Sequence, residues 1–153
     1  MEVKVYLGLI RKYDKMIANK LSEYVQINSL AYSICVGGDS ERVQTSGNND
    51  KVGNIVSKMV DIEAEIDIIA AERKVIVKQI ESLEDEKYYD VLAKRFILGM
   101  DNQEIAYEYK TTPNEISRTI NESALEFEKK FDDVVDFSHI DSHQITLNHT
   151  KSH

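Results

Sequence analysis

Four polar side chains at helical spacing are the residues of this sequence best suited to chemistry, and that chemistry is contact with DNA bases. They follow Thr112 and Pro113, which mark a helix start because Pro is favoured at the first helical position. The face opposite Ile116 and Ile120 presents Asn114, Ser117, Arg118 and Asn121. Arg can donate two hydrogen bonds to guanine, and Asn can pair with adenine. The spacing therefore predicts a recognition helix in the major groove of duplex DNA.

Five basic side chains near this helix are candidates for contact with DNA phosphates. They are Lys94, Arg95, Lys110, Lys129 and Lys130. Residues 87–131 hold seven basic and eight acidic side chains, a net charge of −1, whereas DNA-binding domains are usually basic. With about five phosphate contacts at most, we expect weak binding that depends steeply on salt. A homodimer, or a partner protein already on DNA, would make up the shortfall through effective concentration.

Two further helices are predicted to support the recognition helix. The first ends near Gly99, because Gly commonly follows a helix C-terminus. Asp101 and Glu104 have the spacing of a capping box and open the second. After Phe131 the helical pattern ends. Residues 87–131 are therefore predicted to form a helix-turn-helix domain.

Two long amphipathic helices precede this domain. Between residues 3 and 33, and again between residues 52 and 83, apolar side chains follow alternating steps of three and four residues. Residues 3–33 carry a net charge of +3 and residues 51–86 a net charge of −4, so the two helices are complementary. We expect residues 1–86 to form a long antiparallel helical hairpin, coiled-coil-like, in an all-α protein. Pairing of the same stripes between two chains, as a homodimer, is the open alternative.

Two segments lack helical periodicity. Residues 35–50 carry turn-forming Gly, Asp, Ser and Asn, which predicts a flexible loop, with Asp50 capping the next helix. Residues 132–153 are acidic and then polar, which predicts a disordered tail. His139 and His143 in this tail have the i, i+4 spacing of a metal-binding pair. Because no third ligand accompanies them, we expect no metal site.

Composition narrows the class of protein. The net charge of −8 argues against binding of nucleic acid through bulk charge alone. The single cysteine, Cys35, cannot form an intrachain disulfide, which favours a reducing cytoplasm. No segment has the roughly 18 apolar residues of a membrane span, and the sequence carries no Gly-rich phosphate loop or nucleophile elbow. We therefore expect a cytoplasmic protein that is not an enzyme, needs no cofactor and has no membrane partner.

Two stretches of the sequence resemble a known family. Residues 49–63 read NDKVGNIVSKMVDIE, which is similar to a "V-x-K-x-V-D-L-E" run at the start of a family's long helix. Residues 92–99 read LAKRFILG, and EIA and SR follow at residues 104–106 and 117–118. This order looks like the "L-x-x-R-Y-x-x-G", "E-I-A" and "S-R-R-T-V" motifs of phage-encoded regulators related to sigma-factor region four. These include the ArpU and RinA type late-transcription regulators.

The resemblance implies a transcription regulator of phage or prophage origin that binds promoter DNA, alongside host RNA polymerase. In this sequence Gln103 stands where the family commonly has an aromatic residue, and Asn114 and Glu115 dilute the basic character of its recognition helix. The main alternative is an acidic helical module that binds a host protein without touching DNA. A phage packaging subunit and a purely structural coiled coil are weaker alternatives, because packaging subunits usually place the helix-turn-helix first and the signals at Pro113 define a separate unit.

Overall fold

The computed structural model of the protein describes residues 2–36 and 46–139, and all seven elements in these residues are helices. Two long helices come first, α1 (Glu2–Val36) and α2 (Ser46–Glu81). Three shorter helices follow, α3 (Glu86–Leu92), α4 (Asn102–Tyr109) and α5 (Pro113–Phe131). A π-helical segment, Ala93–Ile97, continues α3, and a 3-10 turn, Phe137–His139, follows α5. The all-α prediction is confirmed for these residues, and none of the helices has a stretch long and apolar enough to cross a membrane.

The starts of the short helices are fixed by local hydrogen bonds. At α4 the Asp101 carboxylate accepts from the Glu104 N–H, and the Glu104 carboxylate accepts from the Asp101 N–H, each at 2.8 Å. At α5 the Thr112 hydroxyl oxygen accepts from the Glu115 N–H at 3.2 Å, and Pro113 occupies the first helical position. Both predicted helix starts are confirmed. Each side chain satisfies backbone donors that the first helical turn leaves without intrahelical partners.

The end of the π-helical segment depends on Gly99. The Leu98 N–H donates to the Ala93 carbonyl, and the Met100 N–H donates to the Lys94 carbonyl, both at 3.0 Å. Gly99 has a φ of +72°, a left-handed conformation that is unfavourable for residues with a side chain. The prediction that the helix ends near Gly99 is therefore confirmed, with a wider π-helical end in place of a plain α-helical one.

One compact unit consists of Asp14–Ala71 and contains parts of α1 and α2. Lys20 pairs with Glu65, and the Tyr24 hydroxyl donates to the Glu63 carboxylate at 2.8 Å. Later residues of α1 thus contact earlier residues of α2, so the two helices are antiparallel in this unit. Among the described residues of this unit, the buried apolar side chains are Ile62 and Ile69. The rest of the predicted stripe is half-buried, at Ile17, Tyr24, Ile27, Ala31, Val52, Ile55, Met59 and Ile66.

The other compact unit joins Met1–Tyr13 to the chain from Glu72 onward. Tyr6 lies at its centre: its ring stands 5.5 Å from that of Phe137 and 6.1 Å from that of Phe127, and its hydroxyl donates to Gln79 at 2.7 Å. A second cluster of buried side chains joins α3, α4 and α5 through Val91, Ile105, Ala106, Ile116 and Ile120. The first turns of the chain are therefore part of the same core as the three short helices.

The structure differs from the sequence-based boundaries at three places. α1 extends to Val36 and α2 begins at Ser46, so both ends of the predicted loop 35–50 are helical and Asp50 lies inside α2. The predicted tail begins at residue 132, yet Val135 and Phe137 are buried, because Phe137 packs on Tyr6 and Phe127. The unit boundaries at residues 13 and 72 also differ from the predicted division at residue 86, because the first turns of α1 pack with the C-terminal half of the chain. Residues 37–45, and His143 with the rest of the tail from residue 140, lie outside the described residues.

We predict that Gly99→Ala destabilises the protein by about 1–2 kcal/mol, because a side chain at positive φ is strained. A Cβ at this position would also lie 2.6 Å from Cζ of Arg11, so the guanidinium would have to move. The matched control is Gly8→Ala in α1, where a Cβ meets nothing within 4 Å. It should stabilise the protein by about 0.5–1 kcal/mol, because Ala is a better helix former than Gly. Chemical denaturation of both full-length variants measures the difference, and equal effects of the two substitutions would contradict the role of Gly99.

Candidate nucleic-acid interface

α5 has one buried and one exposed face. The buried face packs on the rest of its unit through Ile116, Thr119, Ile120, Ser123, Ala124 and Phe127. Three of the four predicted base-contacting residues, Asn114, Arg118 and Asn121, are exposed, and Ser117 is half-buried at the edge. All four residues belong to α5, whose opposite side is held in place by its buried side chains. The four side chains therefore share a surface with little freedom in the backbone that carries them.

The core beneath α5 holds this face at a defined angle. Ile116 and Ile120 pack with Val91 of α3 and Ile105 of α4, all at most 5% exposed. Only Lys110, Thr111 and Thr112 connect α4 to α5, and Lys110 adopts a left-handed conformation with φ of 53°. This turn is as short as those that join the two helices of DNA-binding helix pairs. The position of α5 thus follows directly from that of α4.

Arg118 is the one cationic side chain among the four predicted base contacts, and it is exposed. Its guanidinium lies 3.3 Å from the Glu115 carboxylate, and the Arg118 side chain is 71% exposed. An exposed pair of this kind contributes little to stability. The Arg118 guanidinium can therefore leave Glu115 and bind a base edge at little cost in free energy. Because most of the Arg118 side chain is exposed, a ligand can reach the guanidinium.

Asn121 has a partner that sequence reasoning missed. The ammonium of Lys4, in the first turn of α1, donates to the Asn121 side-chain oxygen. The two residues are 117 positions apart in the chain, so no local pattern joins them. Because the amide is neutral, it leaves the positive charge of Lys4 uncompensated. The structure therefore adds a cation to the middle of the exposed α5 face.

Arg11 is the second cation that the sequence analysis did not select. It lies seven residues after Lys4 on α1, and its guanidinium covers Gly99. No carboxylate within ion-pair distance of Lys4 or Arg11 is found among the described residues. A signal existed in the basic i, i+7 spacing of the first two turns. Its relevance depended on knowing that α1 packs beside α5.

Lys94, a predicted phosphate contact, has two carboxylate partners within the protein. Its ammonium lies 2.9 Å from Asp90 and 2.9 Å from Glu108, and the Lys94 side chain is only 19% exposed. The Tyr109 hydroxyl donates to the same Asp90, and the Lys94 ammonium stands 5.6 Å from the centre of the Tyr109 ring. These four residues join α3, the π-helical segment and α4. Their mutual contacts compete directly with any phosphate for the charge of Lys94.

Electrostatics within this cluster favour the pairing. Hydrogen bonds to Glu108 and Asp90 raise the pKa of Lys94 above its usual value. Burial would raise the pKa of Asp90, but hydrogen bonds from Tyr109 and Lys94 outweigh burial and lower the pKa. Burial and the hydrogen bond to Asp90 raise the pKa of Tyr109 to about 12. At neutral pH the cluster therefore contains an ammonium, a neutral phenol and two carboxylates.

The other four predicted phosphate contacts differ in availability. Arg95 donates to the Met100 carbonyl at 3.1 Å, Lys129 pairs with Glu126 at 2.8 Å, and Lys130 donates to the Ser82 carbonyl. Lys110 is exposed, and among the described residues its side chain has no ion pair or hydrogen bond. It lines a shallow cleft with Lys87, beside the start of α5. Of the five, Lys110 is the most available to a phosphate at the N-terminus of α5.

Comparison with known proteins finds no matching family model, no matching curated protein and no matching solved structure. Among the described residues, no group of three or more His, Cys, Asp or Glu side chains is placed to hold a metal ion. The candidate site consists of the exposed face of α5, the cations beside it and the packed side chains that hold α5 in place.

We predict that Lys94→Met destabilises the protein by about 1–2 kcal/mol, because two carboxylates lose a charged hydrogen-bond partner that solvent only partly screens. The matched control is Lys129→Met, which removes the same charge from a pair whose lysine side chain is 72% exposed. This control should leave stability unchanged within error. Urea denaturation of the two variants checks the difference, and a Lys94→Met protein as stable as the control would show that the cluster is not structural.

We predict that Tyr109 ionises near pH 12, above the ordinary tyrosine pKa near 10. The raised pKa means that the folded state favours the neutral phenol. Its stabilising contribution is therefore complete below pH 10 and is lost as the pH rises through 12. The difference in ultraviolet absorbance titration between the wild-type protein and Tyr109→Phe isolates this group, with circular dichroism as a check on folding. A difference titration centred near pH 10 in the folded protein would contradict the prediction.

Proposed function

We propose that α3, α4 and α5 form a helix-turn-helix domain, and that the protein is a transcription regulator of phage or prophage origin which binds promoter DNA. The observation that carries this proposal is the exposed face of α5. It combines Asn114, Arg118 and Asn121 on a helix whose opposite side is buried. Asn and Arg are the side chains that make bidentate contacts to adenine and guanine.

The packing around α5 supports the proposal. A recognition helix must enter the major groove as a rigid element, with its N-terminal residues at the base edges. α5 begins with a Thr112 cap and Pro113, and its first two turns carry Asn114 and Arg118. α4 contacts it through Ile105 and Ala106, so the pair moves as one body. The surface that would meet the bases is thus the polar N-terminal half of α5.

Charge limits the affinity that this domain alone can reach. Lys94, Arg118 and Lys129 face carboxylates of their own unit. Each such pair reduces the number of phosphates that the protein can neutralise, and so reduces the release of counterions that drives binding. We therefore propose that the regulator acts as a homodimer or together with host RNA polymerase, either of which raises its effective concentration on the promoter.

The second candidate function is an acidic helical module that binds a host protein without DNA. A specific observation favours it: in Asp14–Ala71, apolar side chains at Leu21, Val25, Tyr32, Val56 and Val60 are between 49% and 70% exposed. Exposed apolar side chains of this number are common in surfaces that bind another protein. A partner that binds this unit equally well with and without DNA would support this candidate.

The test of the proposed function is binding to the duplex DNA that flanks the protein's own gene, as a salt series with an unrelated duplex as competitor. We expect preference for the flanking DNA. Arg118→Ala should lower this preference by about 5- to 150-fold, the value of one bidentate base contact. Its fold should be unchanged, because the exposed Arg118 contributes little to packing.

The matched control for Arg118→Ala is Lys129→Ala, which removes one positive charge from the same helix at an exposed position. It should keep the sequence preference, because it lies at the far end of α5 from the predicted base contacts. Equal preference in the wild-type and Arg118→Ala proteins would remove Arg118 from base contact. Absence of any preference at low salt would overturn the DNA-binding function and favour the protein-binding candidate.

A further inference from the structure

The first turns of α1 carry a basic surface that the sequence analysis did not assign to any function. It consists of Lys4, Gly8 and Arg11, at i, i+4 and i+7, which places them on one face of the helix. We call this surface the basic ridge. It borders Leu7, which is buried, and most of the other buried side chains of the same turns lie on the remaining faces of the helix, at Val3, Tyr6, Leu9, Ile10 and Tyr13. Arg11 is exposed and Lys4 is half-exposed, so both charges reach solvent.

Each end of the basic ridge lies against the three short helices of its own unit. At one end, the Lys4 ammonium donates to Asn121 on the exposed face of α5. At the other end, the Arg11 guanidinium covers Gly99, two residues before the Asp101 cap of α4. The basic ridge is therefore continuous with the surface that we propose to contact bases.

The charges of the basic ridge differ in their partners from three other cations of this unit. Lys94, Arg118 and Lys129 each lie within 3.3 Å of a carboxylate. Lys4 contacts a neutral amide, and Arg11 covers a glycine backbone. A cation without a carboxylate partner loses no ion pair when it binds an anion. On the basic ridge, as at Lys110, an external polyanion therefore meets no competing carboxylate among the described residues.

We propose that the basic ridge binds the phosphodiester backbone of duplex DNA beside the groove that receives α5. This inference rests on the proposed function, and it supplies phosphate contacts that the three short helices lack. Lys4 and Arg11 are about 10 Å apart along the helix axis at 1.5 Å per residue. This separation lets the two charges contact two different phosphates of one strand. Gly8 between them has no side chain, and a Cβ there would meet nothing within 4 Å, so a sugar-phosphate chain can approach the helix closely.

The contact between Lys4 and Asn121 gives the basic ridge a second consequence. Adenine N6 would donate to the same Asn121 oxygen that accepts from Lys4. When Lys4 turns toward a phosphate on its flexible stem, it releases this oxygen. Phosphate contact by α1 and base contact by α5 are therefore coupled through one side chain. In free protein, Lys4 holds the amide in place on the exposed face.

The experiment measures the salt dependence of duplex binding for Lys4→Gln, Arg11→Gln and the double variant of the full chain. Loss of one phosphate contact lowers the slope of log K against log salt by about 0.9 and the affinity at 0.1 M salt by about eightfold. We expect these losses for each single variant and twice the slope change for the double variant. For Arg11→Gln, the ratio of affinities for the preferred and unrelated duplexes should stay at its wild-type value, because phosphate contacts carry no sequence information.

Three controls accompany this experiment. Lys58→Gln removes one exposed positive charge from the other compact unit and should leave the slope unchanged. Arg11→Lys keeps the charge and should retain the wild-type slope, which separates charge from packing on Gly99. Circular dichroism and urea denaturation confirm that each variant is folded.

The outcomes separate this inference from the proposed function. A wild-type protein that prefers its own DNA, with slopes in Lys4→Gln and Arg11→Gln equal to that of Lys58→Gln, overturns the basic ridge and leaves the proposed function intact. Loss of sequence preference in Lys4→Gln at an unchanged slope would make Lys4 a positioning residue for Asn121 and overturn its phosphate role. Binding to phosphatidylserine vesicles that only the double variant loses, with duplex binding unchanged, would assign the ridge to a membrane surface. A wild-type protein without any sequence preference overturns both proposals.

Discussion

The packing of Tyr6 holds the first turns of α1 against the C-terminal part of its compact unit. Its ring packs on Phe127 of α5 and on Phe137 beyond α5, and its hydroxyl donates to Gln79 of α2. Burial strengthens the preference for the neutral phenol and raises the pKa of Tyr6. One aromatic side chain thus joins the start of the chain to residues more than seventy positions away. Through this contact the first turns of α1 lie beside α5, and their cations become part of its surroundings.

Many charged side chains of this unit form ion pairs with other residues of the same unit. Asp90, Lys94, Glu108 and Tyr109 form one cluster between α3, the π-helical segment and α4. Such a cluster fixes the relation of the helices, since a charge left without its partner would be costly. The same pairing lowers the number of cations that can meet a ligand. An acidic protein with a net charge of −8 can therefore present a cationic surface only where its cations face neutral groups.

Much of the local structure was predictable from sequence because short-range interactions determine it. The capping box of Asp101 and Glu104 and the Thr112 cap join residues three positions apart, and the hydrogen bonds at the Gly99 turn span five and six positions. The apolar stripes of α1 and α2 were equally visible, because helical periodicity places one side of a helix in the interior. Val135 and Phe137 were missed, since an acidic stretch of irregular chain shows no period that would indicate burial.

Local sequence patterns were sufficient to predict most of the helical residues, the starts of α4 and α5 and the polar face of α5. Which cations on that face are available to bind an anion depends on contacts between residues that are distant in the sequence. Lys94 is a residue type that binds phosphate. In the folded protein, however, its ammonium pairs with Asp90 of α3 and Glu108 of α4. No local pattern joins Lys4 to Asn121, but the packing of Tyr6 brings the two side chains together across 117 positions. The physical reason is range: caps and periodicity act within a few residues, whereas the availability of a charge depends on every carboxylate that folding brings near it.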